Sequence, residues 1–363
     1  MRSLVARASG RGRAGLRRIW WKLLIEAKMV LQRLGIPRRA DVLFLCASEW
    51  RYPVYLYLSL RDHRVIELPR PELPFILTFG SLGDFFFRVR GLNRGEPATA
   101  GEAVLRPGDS AGDAIRRIQL SYDFYEKQNA ARDMVTMPYF CHPDFYRLGL
   151  DQRARTLRDG SRTIRVLFAG GINEEKYQTG LQFPIMNRTI VLRTATEALG
   201  ENLRVIRTRD EVRDALAGLT QPALFVLSEN TDESTRLHRA TPRQYQTLLS
   251  RSDFFLAPPG VLMPHCHNII EAMAVGAIPI TNYGAYMSPP LEHDVNCIAF
   301  QTPEDLTAQL HRVLSMPENE IRRMRANVVR YYESHLDPTA FGRVLANRPT
   351  GDFTLRVNRE IKA

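Results

Sequence analysis

Between residues 163 and 335, short apolar runs alternate with longer segments of helical spacing, and few folds accept that pattern. "TIRVLFAGG" (163–171), "LRVIRT" (203–208), "ALFVLSEN" (223–230), "DFFLAPPG" (253–260), "AIPITN" (277–282) and "CIAFQ" (297–301) read as strands. Runs of this length, rich in Val, Ile, Leu and Phe, suit strands covered on both faces, as in a parallel sheet. The intervening "NRTIVLRTATEAL", "TPRQYQTLLSRS", "HNIIEAMAVG", "PEDLTAQLHRVLSM" and "ENEIRRMRANVVRYYESH" read as helices. Strands and helices in strict alternation predict an open α/β sheet with right-handed crossovers.

The earlier part of the chain carries a looser version of the same pattern. "DVLFLC" (41–46), "RVIEL" (64–68) and "PFILTFG" (74–80) are strand-like and separated by polar, Pro-rich turns. Residues 91–112 are rich in Gly, Pro and Ala and read as an exposed loop. The spacing predicts a helix over 113–133, and "MVTMPYF" (134–140) closes the region as a strand. Charge rises and apolar periodicity lapses over 141–163, which places a boundary there. A chain of 363 residues, 44% hydrophobic, has the length of two domains. The division expected is a basic segment 1–36, an α/β domain with linker 37–150, a second α/β domain 151–335, and a tail 336–363. Two such sheets leave a cleft at the carboxyl ends of their strands, where ligands bind in open α/β folds.

Charge narrows the setting. The net charge of +11 implies attraction to an anionic partner: nucleic acid, a membrane surface or a phosphorylated small molecule. Nine of the basic residues lie within positions 1–36 against the single acid Glu26, and there Leu16, Trp20, Leu23, Ala27, Val30 and Leu34 form an apolar stripe. The apolar runs are too short to span a bilayer, so a membrane reading puts this helix on an anionic surface. Packing on its own domain is an equal reading, and an Arg-rich presequence is a third. Cys46, Cys141, Cys266 and Cys297 stand far apart with no paired spacing, which fits free thiols in a cytoplasmic setting.

The passage "DFFLAPPGVLMPHCHNIIEAMAVG" brings a strand through a Pro-Gly turn into a helix ended by Gly276. A helix start offers unpaired N–H groups and a partial positive charge, so Gly260, His265, His267 and Asn268 become candidates for holding a phosphate. Glu271, a turn further on amid apolar residues, needs a partner. A sugar hydroxyl pair would serve, and so would capping of its own helix. Gly170 and Gly171 end another strand, where they allow close backbone approach, and Lys176 follows within reach of a phosphate. A plain strand-to-loop turn is the alternative there. Ser228 and Glu229 end a third strand and are candidates for meeting a base or ribose.

Several chemistries lack their residues. His265 and His267, two apart, fall on different faces of a helix, and no HExxH or CxxC accompanies them. No Asp-x-Asp occurs in the sequence, so a metal-bridged diphosphate of that kind lacks its ligands.

The run "SDFFLAPPG…HCHNIIEAMAVGAIPITNYG" resembles the nucleotide-sugar half of glycosyltransferases of the two-Rossmann GT-B fold, nearest to the exostosin-like and group 1 types. The resemblance spans about residues 163 to 335, and "VTMPYFCHPDFY" resembles the interdomain linker of such enzymes. It implies a GT-B-like α/β architecture, with two Rossmann-type domains around a cleft. Glu271 matches the carboxylate that holds the donor ribose, and residues His265 to Asn268 match the phosphate-binding helix start. Gly170 and Gly171 match the glycine turn that opens the donor domain, and Lys176 a basic residue that follows it. Retaining group 1 enzymes carry another acid eight positions before the ribose carboxylate. Here that position is Met263, so the resemblance points to inversion without a metal or other cofactor. An inverting enzyme needs a base from its first domain. Glu49 and Asp84, each after a strand-like run, are the candidates, with His63 behind them.

The reading that joins these features is a glycosyltransferase that moves a sugar from a nucleotide sugar to a glycan or lipid-linked acceptor, in cell-surface polysaccharide or glycoconjugate synthesis. It would work at the inner face of a membrane. A nucleotide-sugar epimerase and a catalytically silent glycan- or partner-binding scaffold share the fold. Nucleic-acid binding has only charge in its favour, and no recognition motif accompanies it.

Overall fold

The structure is a computed structural model of the chain. It describes residues 55, 58–59, 66–67, 102–105, 116–121, 134–179, 181, 183–217, 220–228, 240–346 and 353–357. The basic segment 1–36, Glu49, His63, Asp84 and Glu229 lie outside the described residues, as does the Lys176 side chain. Contacts divide the chain into two compact units, one over 1–136 and 342–357 and the other over 137–341 and 358–363.

In the first unit the described strands are β1 (Ile66–Glu67), β2 (Glu102–Leu105), β3 (Arg116–Ser121) and β4 (Met134–Thr136). A strand from the far end of the chain, Phe353–Arg356, lies between β3 and β4 and runs parallel to both. β1, β2 and β3 pair antiparallel, so this sheet is mixed where a parallel one was expected. Two local expectations are corrected as well. Residues 102–105, within the stretch read as a loop, form β2, and 116–121, read as helical, form β3. The physical reason sits in "RRIQLS": Ile118 and Leu120 alternate with polar residues, a period of two that a longer helical window hides. Nor is the end of the chain a plain tail, because residues 353–356 supply a central strand.

The second unit is a six-stranded sheet in which every pairing is parallel. Its strands are β5 (Ile164–Gly171), β6 (Leu203–Ile206), β7 (Gln221–Ser228), β8 (Ser252–Leu256), β9 (Ile278–Thr281) and β10 (Ile298–Ala299), in the order β10-β9-β8-β5-β7-β6. Counted along the chain this is 2-3-1-4-5-6, the doubly wound order 3-2-1-4-5-6 with its second and third strands exchanged. Phe254, Phe255, Ile278 and Ile280 are fully enclosed. Burying each such side chain stabilises the fold by about 1.5–3 kcal/mol.

The helices start where the sequence caps them. They are α1 (Pro143–Arg147), α2 (Leu150–Leu157), α3 (Glu174–Thr179), α4 (Arg188–Leu199), α5 (Arg209–Leu216), α6 (Pro242–Ser250), α7 (His267–Ala274), α8 (Pro303–Leu314), α9 (Glu318–Tyr331) and α10 (Pro338–Ala346). Thr208 and Thr241 build reciprocal capping boxes with Glu211 and Gln244 at the starts of α5 and α6. Asn187 caps α4, accepting from Ile190 N at 3.0 Å. Residues 141–163, read as a boundary where apolar periodicity lapses, hold α1 and α2. His142 caps α1 ahead of Pro143, and Leu150 and Ala154, one turn apart, bury one face of α2. Arg153 then fastens α2 to α6 through Gln246 Oε1 at 2.7 Å and Thr247 Oγ1 at 3.0 Å.

Arg162 ties three helix ends together below the sheet. Its guanidinium donates to the carbonyls of Arg158, Leu249, Ser252 and Val275, which lie at or beside the carboxyl ends of α2, α6 and α7. Those ends carry orphan carbonyls and partial negative charge, so one cation satisfies several of them. Beside it, Gly276 leaves α7 with φ +80°, and an added Cβ would lie 3.2 Å from Arg325 Cγ and Val329 Cγ2. Gly276→Ala meets both a left-handed backbone and a crowded site, so it should cost about 1–3 kcal/mol. Urea unfolding measures this as a lower midpoint at unchanged slope. An unchanged midpoint would refute the strained turn.

Candidate functional site

β5 is the pivot of the parallel sheet. On one side it pairs with β7, on the other with β8, and the chain builds outward in opposite directions from this pair. That reversal opens a crevice at the carboxyl ends of β5 and β8, the place where ligands bind in open α/β sheets. Gly170 and Gly171 end β5, Gly171 pairs with Ser228 at the end of β7, and Ile172 N reaches Ser228 O at 3.3 Å. A Cβ on Gly170 would stand 3.2 Å from Phe168 Cζ and 3.7 Å from Arg188 Nη1. After β8 the chain turns back sharply, with Gly260 N bonded to Pro264 O at 3.1 Å. A Cβ on Gly260 would collide with His265 O at 2.7 Å and Met263 O at 2.8 Å. Only glycine permits this turn, and the turn delivers His265 and Cys266 to the start of α7.

Arg188 fills the crevice. Its Nε donates to Pro259 O at 3.1 Å, its Nη1 to Gly171 O at 3.3 Å and its Nη2 to Cys266 Sγ at 3.4 Å, while the Tyr177 ring lies 4.2 Å from the guanidinium. The residue is 3% exposed, and among the described residues no carboxylate pairs with it. Burial works against its charge, yet the Cys266 thiol and the Tyr177 phenol move its pKa upward on balance. Arg188 is therefore a buried cation whose partners among the described residues are formally neutral. It also occupies the first position of α4, where the helix dipole disfavours a positive charge.

The opening turn of α7 lies beside it. Cys266 stands at the N-cap without a side-chain bond to the helix, so the first N–H groups of α7 have no side-chain cap. Asn268 Oδ1, and Asn282 Oδ1 just past β9, are buried acceptors without a donor among the described residues. Asn282 is held by Nδ2 donating to Met186 O at 2.9 Å. Around them stands an aromatic wall. Tyr139 stacks on His267 at 5.1 Å and lies 4.8 Å from His265, which faces Tyr283 at 6.1 Å. His267 Nδ1 is 2.8 Å from Phe140 O. Glu271 is 7% exposed, and its Oε1 accepts from His142 N at 3.0 Å. This carboxylate thus anchors the backbone at His142 to α7, and its charge adds to the burial that lifts the Cys141 thiol pKa.

Gly170, Gly171, Ser228, Gly260, His265, His267, Asn268 and Glu271 accordingly gather at one end of one sheet. Lys176 lies in the first turn of α3, five residues past the end of β5. Sequence reading missed Arg188, Cys266, Asn282, Tyr139 and His142. Arg188 had left a signal, a basic residue at a helix start. Among the described residues no group of three or more His, Cys, Asp or Glu could hold a metal ion, and no helix is long and apolar enough to cross a membrane.

The sequence matches no protein-family model and no curated protein. Among solved structures it is similar to the N-terminal domain of trehalose-6-phosphate phosphatase from Candida albicans, at 11% identity over 55% of this chain, with a TM-score of 0.30. It is also similar to HepE of Anabaena, determined in complex with UDP and glucose, at 15% identity over 54% of this chain, with a TM-score of 0.32. The chain spans 44% and 50% of those two proteins. Likenesses of this extent assign no family.

His265 makes the packing of this end measurable. Burial drives its pKa down to about 3, against a hydrogen bond from its ring to the Tyr286 backbone that opposes the fall. In the unfolded chain it titrates near 6.5, at about 1.4 kcal/mol per unit of difference. Between these values the unfolded chain binds the extra proton, so this contribution is complete above about pH 6.5 and is lost as pH falls toward 3. Urea unfolding at about pH 7 and pH 5 should show the wild type losing about 2 kcal/mol more than His265→Gln. Equal losses would mean that His265 protonates freely in the folded protein.

Proposed function

We propose that the carboxyl end of this sheet binds the diphosphate and ribose of a nucleotide sugar, and that the protein is a GT-B-type glycosyltransferase. The observation that carries the reading is Arg188, a buried guanidinium at the strand-order reversal with no carboxylate beside it among the described residues. A cation kept in that state is stabilised by an anion arriving from outside, and guanidinium forks suit phosphate oxygens. The uncapped start of α7 adds a second source of positive potential. Asn268 Oδ1 and Asn282 Oδ1 accept from hydroxyls, which a ribose or hexose provides.

In this reading catalysis is mainly electrostatic. As the bond between sugar and diphosphate breaks, negative charge grows on the departing diphosphate, and Arg188 and the α7 start stabilise it. Glu271 holds the segment from Tyr139 to His142 against α7 and so sets one wall of the site. The inverting route takes its base from residues 1–136, with Glu49 and Asp84 as candidates, and calls for no metal. The basic segment 1–36 would bring the protein to an anionic membrane surface where a lipid-linked acceptor lies. A catalytically silent binder is the second reading. It is favoured by Glu271 spending one carboxylate oxygen on the chain's own backbone.

Thermal unfolding with UDP, GDP, CDP, ADP and dTDP and their sugars tests the binding. A ligand at 100 times its dissociation constant stabilises the folded state by about 2.7 kcal/mol. One nucleotide class should raise the midpoint in wild type. In Arg188→Gln, shown to be folded by circular dichroism, affinity should fall about tenfold or more. No shift with any nucleotide, or a shift untouched by Arg188→Gln, would overturn the assignment. Release of free nucleoside diphosphate from the bound sugar separates the enzyme from the silent binder.

A further inference from the structure

The amino end of the same sheet carries a second constellation. Where β5, β7 and β8 begin there is a cavity of about 700 Å³, walled by Arg162, Arg165, Arg325 and Asp253, with Asn202 and Glu318 among the exposed residues at its rim. The eight residues of β5 separate it from the Arg188 end by about 23 Å.

Charge in this cavity does not balance. Asp253 is 6% exposed. Its Oδ2 accepts from Arg165 Nη1 at 2.9 Å and its Oδ1 from Arg325 Nη2. One carboxylate therefore orients two guanidinium groups, each of which spends one nitrogen on it. The rest of their donor forks make no bond among the described residues, and Nε of Arg325 is buried without a partner. Arg162 Nε is buried and unpartnered as well. Three part-buried cations thus face one buried anion among the described residues. Glu318 contributes little, since it is half exposed and turned to Arg322 at 3.9 Å. Burial, and next the Arg325 charge, push the Arg162 pKa down to about 10, against the opposing pull of Asp253, Asp159 and Glu318. α9 begins at this rim with Pro317 at its N-cap and no side-chain cap, which adds partial positive charge.

We propose that this cavity is a second ligand site, for a small molecule carrying a phosphate or diphosphate group. Guanidinium groups fixed by Asp253 present planar forks that match phosphate oxygens, and fixing them beforehand lowers the cost of binding. The volume suits a ligand of nucleotide size. Ser161, Thr163, Thr220 and Gln221, also in the wall, supply neutral donors and acceptors for the rest of such a molecule. The site is independent of the reading of the Arg188 end, because the two lie at opposite ends of the sheet.

The test uses the full chain with pyrophosphate as probe, against sodium chloride at matched ionic strength. Pyrophosphate should raise the unfolding temperature and slow amide exchange over residues 160–165 and 318–325, with or without further protection at 257–271. Arg165→Gln, a part-exposed position whose loss should spare the fold, should weaken the binding about tenfold. Exchange in the wild type decides the matter should that variant fail to fold. Protection confined to 257–271, a shift no larger than that of chloride, or full binding by folded Arg165→Gln would each overturn the proposal.

Discussion

An arginine is expensive to bury, and the second unit is built around one that has no carboxylate partner among the described residues. Arg188 keeps its charge because three separate pieces of chain converge on it: the end of β5 through Gly171, the loop after β8 through Pro259, and the α7 cap through Cys266. Each piece arrives there because the sheet reverses its order between β5 and β8. Gly170 keeps the strand end clear of the Phe168 ring, and Gly260 allows the turn that returns the chain to α7. Had any partner been a carboxylate, the cation would be neutralised within the chain and the crevice would have no use for an external anion. Breaking a buried ion pair costs several kcal/mol, whereas a cation resting on neutral carbonyls keeps its attraction for an incoming charge.

The two ends of the sheet treat positive charge differently. At the amino end, Arg165 and Arg325 converge on Asp253, and Arg162 gathers carbonyls from the ends of three helices. These contacts hold α2, α6, α7 and α9 to the strands they flank. At the carboxyl end the bonds to Arg188, 3.1 to 3.4 Å, go to neutral groups. Both ends therefore hold guanidinium groups that an arriving anion would stabilise: at the amino end Asp253 orients Arg165 and Arg325 without matching the charge of all three arginines, and in the crevice neutral groups orient one.

Much of the second unit was legible because its strands are covered on both faces. "DFFL" and "IPIT" are almost wholly apolar and cannot be stable at a surface, so their places in a parallel sheet follow directly. Gly276 and the Thr caps mark helix ends by local chemistry. The errors fall where local chemistry is ambiguous. "RRIQLS" fits a strand over six residues and a helix over twenty. α1 and α2 are short, with Leu150 and Ala154 as the residues buried on the longer one, too few to show a period. The strand exchange between β6 and β7, and the insertion of residues 353–356 between β3 and β4, depend on long-range pairing that no window contains. For the site, Glu271 and the α7 start were visible as residues, but not the bond from His142 N that ties Glu271 down. Arg188 stands out only once its neighbours in space are known to be neutral.

A crystal structure of the protein with a nucleoside diphosphate addresses the central claim most directly. The account predicts phosphate oxygens within hydrogen-bond distance of the Arg188 guanidinium or of the first N–H groups of α7, with the ribose toward Asn268, Asn282 and Glu271. A nucleotide bound with its phosphates away from both, while Arg188 still rests on Pro259, Gly171 and Cys266, would show that this buried cation serves the fold alone.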